Sequence, residues 1–274
     1  MPMECAVVLA AGEGMRLRPL TTYRPKPMLP VTNKPILEHV FDTLVEVGIS
    51  EIHVVVGYRR NRVQEYFGFE YEGVQLHYHL QDQQLGSGHA VLQARDALDE
   101  SFVVVNGDQL VSADIVESVV EKHTLGDQLA TLSIVESEMA PQYGAVSLDG
   151  EVVTDLVEKP GEGYYRLLNA GVYVFEPDVF DVISTAPLEN GEHSLTAALT
   201  NAIDDGATVR GIRADGLWRD ATYPWDLLEL TAEMLRLNDE TTYIASSATV
   251  HDKSIVRGPV VIGPDAVVAP GAVV

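Results

Sequence analysis

The run from Cys5 to Ala10 is short and apolar, and it stops abruptly at Gly12-Glu13-Gly14. This reads as a buried strand that empties into a long loop, because no helical pattern resumes until after Pro30. Glycines in such a loop let backbone N–H groups turn inward into an anion-binding concavity, and Arg16 and Lys26 supply charge of the matching sign. The stretch from Leu9 to Val31 is therefore expected to hold a triphosphate. Two commoner glycine loops do not fit it. The dinucleotide fingerprint needs a third glycine or alanine where this chain has Leu17, and a Walker A loop needs the Gly-Lys-Ser/Thr that is absent after Gly14.

Beyond Pro30 the apolar residues alternate between two periods. Ile36, Leu37, Val40, Phe41, Leu44 and Val45 fall at helical spacing and stop at Gly48, a usual C-terminal glycine. Glu51 to Val56 reads as a strand, Arg59 to Phe67 as a short helix, and Val74 to Leu80 as a strand with one wet face. Further strands are expected at Phe102 to Asn106, Leu129 to Val135 and Thr208 to Ala214. Helices are expected at Ser87 to about Leu98 (capped by Ser87), Asp114 to His123, Pro177 to Ser184, Leu195 to Asp204 and Pro224 to Asn238. This alternation predicts an α/β fold: a Rossmann-like mixed sheet, mainly parallel and flanked by helices, with ligands beyond the carboxyl ends of its strands. The loop after Leu9 lies at that end.

With 274 residues and 46% hydrophobic content, one large domain plus an appendage is expected, divided as 1–240 and 241–274. Net charge is -23, with 41 acidic residues spread along the chain. Such a surface repels nucleic acid and anionic membranes, so neither is an expected partner. No apolar run approaches the roughly 18 residues of a membrane span. Glu4 stands where a secretory signal would carry a basic residue, so a cytoplasmic location is expected. Acidity with only five lysines resembles proteins of salt-accumulating cytoplasms and predicts weak folding in low salt. Cys5, the single cysteine, cannot pair within the chain and reads as a packed thiol without chemistry. Eight histidines show no ligand spacing, so no zinc site is expected, and no Ser-His-Asp or Cys-His set points to a covalent intermediate.

Asn106-Gly107-Asp108 ends a buried strand. An aspartate at that tip commonly holds Mg²⁺, a hard cation that takes carboxylate oxygens and completes its shell from a bound triphosphate. Gly-x-Gly-x-Arg-Leu at Gly12 to Leu17, followed by Pro25-Lys26-Pro27 and Leu29-Pro30-Val31, resembles the signature of the sugar-1-phosphate nucleotidyltransferases. That family includes glucose-1-phosphate thymidylyltransferases and N-acetylglucosamine-1-phosphate uridylyltransferases. The resemblance runs from about Met3 to Asn238. It implies a nucleotide site of Leu9, Ala11, Gly12, Gly14 and Met15, with Gln81, Gly86 and Ser87 at the base, and catalytic roles for Arg16 and Lys26. It further implies Mg²⁺ on Asp108 and on Asp220 of Trp218-Arg219-Asp220. Gly144, Glu158 and Lys159 of the stretch Leu156 to Gly163, and Asn169, would hold the sugar and its phosphate. A glutamine amide that both donates and accepts suits a uracil or thymine edge.

The implied partners are a nucleoside triphosphate, UTP or dTTP, and a sugar 1-phosphate, of glucose or N-acetylglucosamine. GTP with mannose 1-phosphate is an alternative, as is a non-catalytic regulatory subunit of the same fold. Arg16, Lys26, Asp108 and Asp220 together argue against the second.

From Ile244 a new period begins. Ile244, Val250, Val256, Ile262, Val268 and Val274 recur every sixth residue, with Ala248, Ser254, Val260, Ala266 and Ala272 four places on. This is a hexapeptide repeat, and it resembles the left-handed β-helices appended to many of these transferases, which can assemble as trimers. About five repeats make fewer than two coils, so the helix is expected to be cut short and no acyl transfer is assigned.

Overall fold

A computed structural model describes residues 3–138, 140, 143–160, 166–189, 191–237 and 242–274. Strand β1 (Cys5–Ala10) forms as its apolar run requires, with Ala6, Val7 and Val8 fully buried. The loop after it makes two single 3-10 turns, Met15–Leu17 and Lys26–Met28, each too short to show a period in the sequence. A small ribbon of β2 (Pro30–Val31) and β3 (Lys34–Pro35) leads into α1 (Ile36–Val47). β4 (Glu51–Val56), α2 (Arg60–Phe67), β5 (Glu70–Tyr71) and β6 (Val74–Leu80) follow.

Helix α3 (Ser87–Leu92) is shorter than the pattern predicts, giving way to a separate 3-10 turn at Arg95–Ala97. Ser87 is not its cap: Gly86 precedes the first turn, and the Ser87 hydroxyl accepts from the Leu195 N–H at 3.2 Å instead. Next come β7 (Phe102–Asn106), β8 (Gln109–Val111), α4 (Ala113–His123) and β9 (Ala130–Glu136). Then follow β10 (Gly144–Asp149), β11 (Val152–Glu158) and β12 (Leu167–Phe175). The element series up to the C-terminal segment closes with α5 (Val179–Thr185), α6 (Leu195–Asp204), β13 (Val209–Arg213), β14 (Trp218–Asp220) and α7 (Asp226–Leu237).

Ten strands form one sheet in the order β10-β11-β13-β9-β12-β7-β1-β4-β6-β5. The sheet is mixed as expected, but its parallel part is confined to β7-β1-β4-β6 and the β13–β9 pair. β12 runs antiparallel to both β7 and β9, and β10 and β11 form a hairpin. A tight turn can only return a strand in the opposite direction, so this half does not repeat the βαβ pattern of the first. Helices cover both faces. Phe41 and Leu44 of α1 and Ile115 and Val119 of α4 pack with Val8, Val54 and Val105 on one side. Val91 of α3, Ile183 of α5 and Leu199 of α6 pack with Val7, Val55 and Val104 on the other. Each such side chain, fully buried, contributes about 1.5–3 kcal/mol.

A third, smaller core lies under the long loop: Leu17, Leu29, Val31 and Ile36 meet Leu110 and Leu230 there. Beyond α7, β15 (Thr242–Ile244) pairs in parallel with β17 (Val260–Ile262), and β16 (Thr249–Val250) with β18 (Val267–Val268). Thr242 faces Val260, Thr249 faces Val267 and Ile255 faces Val273, a constant offset of 18 residues. Among the described residues no helix is long and apolar enough to cross a membrane.

Candidate active site

β1 and β7 run side by side, and the Gly107 N–H donates to the Leu9 carbonyl at 2.9 Å, so Asp108 emerges at the carboxyl edge of the sheet. The short β8–β14 ladder pairs Gln109 with Asp220 and so sets Asp220 beside Asp108. Lys26 completes the group. Its Nζ lies 2.9 Å from Asp108 Oδ2 and 2.5 Å from Asp220 Oδ1. Burial alone would lower the pKa of this lysine, but the charges of Asp108 and Asp220 outweigh burial and hold it above the ordinary value. The ammonium therefore stays charged.

Lys26, expected at the reacting phosphates, bonds both of the aspartates expected on a metal. The physical reason is that Asp220 is nearly buried and needs a counter-charge. Its second oxygen accepts from the hydroxyls of Tyr143 at 3.2 Å and Thr222 at 3.1 Å. Gly14 has a φ of +67°, and a Cβ there would lie 2.7 Å from the Cβ of Lys26, so only glycine lets the two halves of the loop close on each other.

A cavity of about 590 Å³ opens over this group. Leu9, Arg16, Lys26, Ser87, Asp108 and Asp220 line it, together with the four expected sugar-phosphate residues Gly144, Glu158, Lys159 and Asn169. Glu158 and Lys159 bond each other at 2.8 Å, and Thr196 donates to Glu158 at 3.3 Å. Lys159 holds a φ of +43°, unusual for a residue with a side chain, and its N–H donates to the Tyr143 carbonyl at 2.8 Å. Asn169 donates from Nδ2 to the Tyr173 hydroxyl at 2.7 Å and accepts the Gly171 N–H at 3.1 Å. Burial raises the Tyr173 pKa, so this hydroxyl keeps its proton. Gly161 and Gly163 of the same stretch lie outside the described residues.

Six expected contacts stand outside the cavity lining: Ala11, Gly12, Gly14, Met15, Gln81 and Gly86. The Ala11 carbonyl already accepts from the Tyr58 N–H at 3.3 Å and from Gln84 at 3.1 Å. Gln81 is buried, and its amide donates to the Gly86 carbonyl at 3.0 Å. A Cβ on Gly86 would meet the His193 carbonyl at 2.6 Å, so the position has no room for a side chain. Two residues in the group, Tyr143 and Thr222, are not legible as site residues in the sequence, because a lone hydroxyl carries no motif.

The nucleotidyl transferase family model matches residues 5–236, a span that includes every candidate site residue. The chain belongs to the nucleotidyl transferase family. It is 39% identical over 240 residues to the UTP–glucose-1-phosphate uridylyltransferase AglF of Haloferax volcanii, a match that covers 86% of this chain and 98% of that one. It is 37% identical over 235 residues to the bifunctional protein GlmU of Methanococcus maripaludis, covering 84% of this chain and 54% of that protein. The chain thus spans about half the length of the GlmU relatives it matches. Among solved structures, UDP-glucose pyrophosphorylase from Acinetobacter baumannii has a TM-score of 0.77 at 23% identity, over 87% of this chain and 95% of that one. That likeness is one of fold.

Proposed function

We propose that this chain transfers a nucleotidyl group from UTP or dTTP to the phosphate of a sugar 1-phosphate, of glucose or N-acetylglucosamine, releasing pyrophosphate. The observation that carries the reading is the convergence of Arg16, Lys26, Asp108 and Asp220 on the cavity that also holds Glu158, Lys159 and Asn169. UTP with glucose 1-phosphate is the favoured pair, because the uridylyltransferase named for it is matched over nearly its whole length.

The attacking group is a phosphate oxygen of the sugar 1-phosphate. Such a monoester is largely dianionic near neutrality, its second pKa being about 6, so no side chain has to remove a proton. What remains for the protein is alignment and charge stabilisation along an in-line displacement. Arg16, exposed at the cavity, offers its guanidinium to the departing pyrophosphate, and Lys26 stabilises charge at the reacting phosphates. Glu158 accepts from sugar hydroxyls, Lys159 faces the sugar phosphate, and Asn169 meets the ring, each exchanging a partner within the protein for one on the substrate.

Asp108 and Asp220 fit Mg²⁺, since both present hard oxygen donors and both already turn one oxygen toward a single cation, the Lys26 ammonium. When bound to them, Mg²⁺ would neutralise part of the triphosphate charge. Residues 241–274 read best as a short hexapeptide-repeat coil distinct from a transferase unit of 1–240. The constant 18-residue offset of its pairings equals three hexapeptides, which supports that reading.

The test is pyrophosphate release with Mg²⁺ in molar KCl, across UTP, dTTP, ATP, CTP and GTP against glucose, N-acetylglucosamine, galactose and mannose 1-phosphates. Turnover confined to UTP or dTTP with one of the first two sugars is the expected result. GTP with mannose 1-phosphate would replace the proposal, and silence from folded protein would favour the regulatory subunit.

A further inference from the structure

At the end of β1 opposite the cavity, parallel register sets Cys5 beside Glu51 and His53 beside His77. Residues two apart on a strand share a face, so His79 joins them. Cys5 Sγ lies 3.9 Å from Glu51 Oε2, and Glu51 Oε2 lies 3.9 Å from His53 Nε2. The three candidate ligand atoms all fall within 4.8 Å of one another. In a tetrahedral zinc site the same kinds of donor stand about 3.3–3.8 Å apart, as zinc–ligand bonds of about 2.0–2.3 Å require.

His53 is only 3% exposed, and its Nε2 has no hydrogen-bond partner. Its Nδ1 lies 2.9 Å from His79 Nε2, a bond that holds the ring in place. That leaves His53 Nε2 buried and unpartnered, 3.9 Å from the Glu51 carboxylate, with the Cys5 sulfur in reach of both. An imidazole held through Nδ1 offers its other nitrogen to a metal ion.

We propose that Cys5, Glu51 and His53 bind a divalent cation of the zinc class, with His79 as the positioning residue that holds the His53 ring. A set of one sulfur, one imidazole and one carboxylate selects a borderline transition ion over Mg²⁺ or Ca²⁺, and the histidine–histidine bond is the outer partner that such ligands ordinarily have. A cavity of about 650 Å³ reaches Cys5 and Glu51 from solvent, and Glu4, Asp99, Glu100 and Glu176 on its walls draw cations toward it. The bound ion would tie the first residues of β1 and β4 together; the thiol proton leaves to solvent as the thiolate takes up the metal.

Cobalt(II) makes the site visible. The full chain, stripped with EDTA and titrated with Co²⁺, should show a thiolate-to-cobalt charge-transfer band and the strong visible bands of tetrahedral cobalt at one equivalent, both bleached by Zn²⁺. Because Cys5 is the only cysteine, that band can have no other source within the chain. Without a metal, burial and the acidic neighbours push the thiol up to about 11, so a free thiolate contributes no background. Cys5→Ser should abolish the band. Glu51→Gln, at a half-exposed position that does not threaten the fold, should weaken cobalt binding about ten-fold or more, and His79→Phe by about 10–100-fold. Asp108→Ala should leave the band intact, which separates this site from the nucleotide cavity. Stoichiometric cobalt without a thiolate band overturns the proposal, and so does a band whose affinity is unchanged in both Glu51→Gln and His53→Gln.

Discussion

Asp108 and Asp220 share one lysine yet stand in different surroundings. The Asp220 side chain is 9% exposed and accepts from Lys26, Tyr143 and Thr222, whereas the Asp108 side chain is 33% exposed. Removing Asp220 leaves the buried Lys26 ammonium with only the more exposed Asp108, and the Tyr143 and Thr222 hydroxyls with only each other, so Asp220→Ala should cost about 1–3 kcal/mol of stability as well as activity. Asp108→Ala leaves Lys26 with its better-buried partner. Its turnover should fall by at least about 10²–10³ while its unfolding midpoint stays close to wild type. Paired denaturation curves and rates for the two variants check this, and equal destabilisation would show that the lysine depends on both acids alike. Lys26 is legible in its loop motif and Asp108 at its strand tip, whereas Asp220 comes only with the family resemblance. The bonding of Lys26 to both acids was not legible, since it depends on a ladder between three-residue strands, β8 and β14, that no periodicity announces.

At the scale of elements, the long loop owes its shape to apolar anchors as much as to its glycines. Leu17 is 1% exposed in the 3-10 turn Met15–Leu17 and packs into the small core with Leu29, Val31, Leu110 and Leu230. Arg16 precedes it and is held over the cavity by that anchor. Leu17→Ala should therefore cost about 2–5 kcal/mol, and it should also lower turnover although Leu17 is absent from the cavity lining. The measurement is kcat at a temperature where the variant is fully folded; an unchanged kcat there would mean that the loop holds Arg16 by other means. Long periodic elements such as α1, α4 and α6 were legible because their spacing is local. The reversal at β12, the early end of α3 and the packing of Gly86 on His193 were not, because each is decided by a segment far away in the chain. The histidines make the same point in reverse. His53, His77 and His79 have no ligand spacing along the sequence, and only the parallel register of β4 and β6 brings them together.

For the whole molecule the governing quantity is charge. With 41 acidic and 18 basic side chains, folding confines a net charge of -23 within one compact body, and the unfolded chain relieves that repulsion by expanding. Several cations are already committed to local acids: Lys26 to two aspartates, Lys34 to Glu38 and Asp42, and Arg219 to Glu233. These pairs do little for the remaining excess of carboxylates. Dissolved salt has to do it, and the Debye length falls from about 30 Å at 0.01 M to about 3 Å at 1 M. The unfolding midpoint should accordingly rise between dilute buffer and molar KCl. The form of the rise identifies its cause. Screening acts most steeply at low salt and levels off once the Debye length drops below the spacing of surface carboxylates, whereas exclusion of solute from the protein surface keeps adding stability in proportion to concentration. A curve that bends over within the first few tenths molar, for KCl and NaCl alike, would assign the effect to self-repulsion. A midpoint indifferent to salt would mean that the acidic surface is spaced widely enough to need no screening.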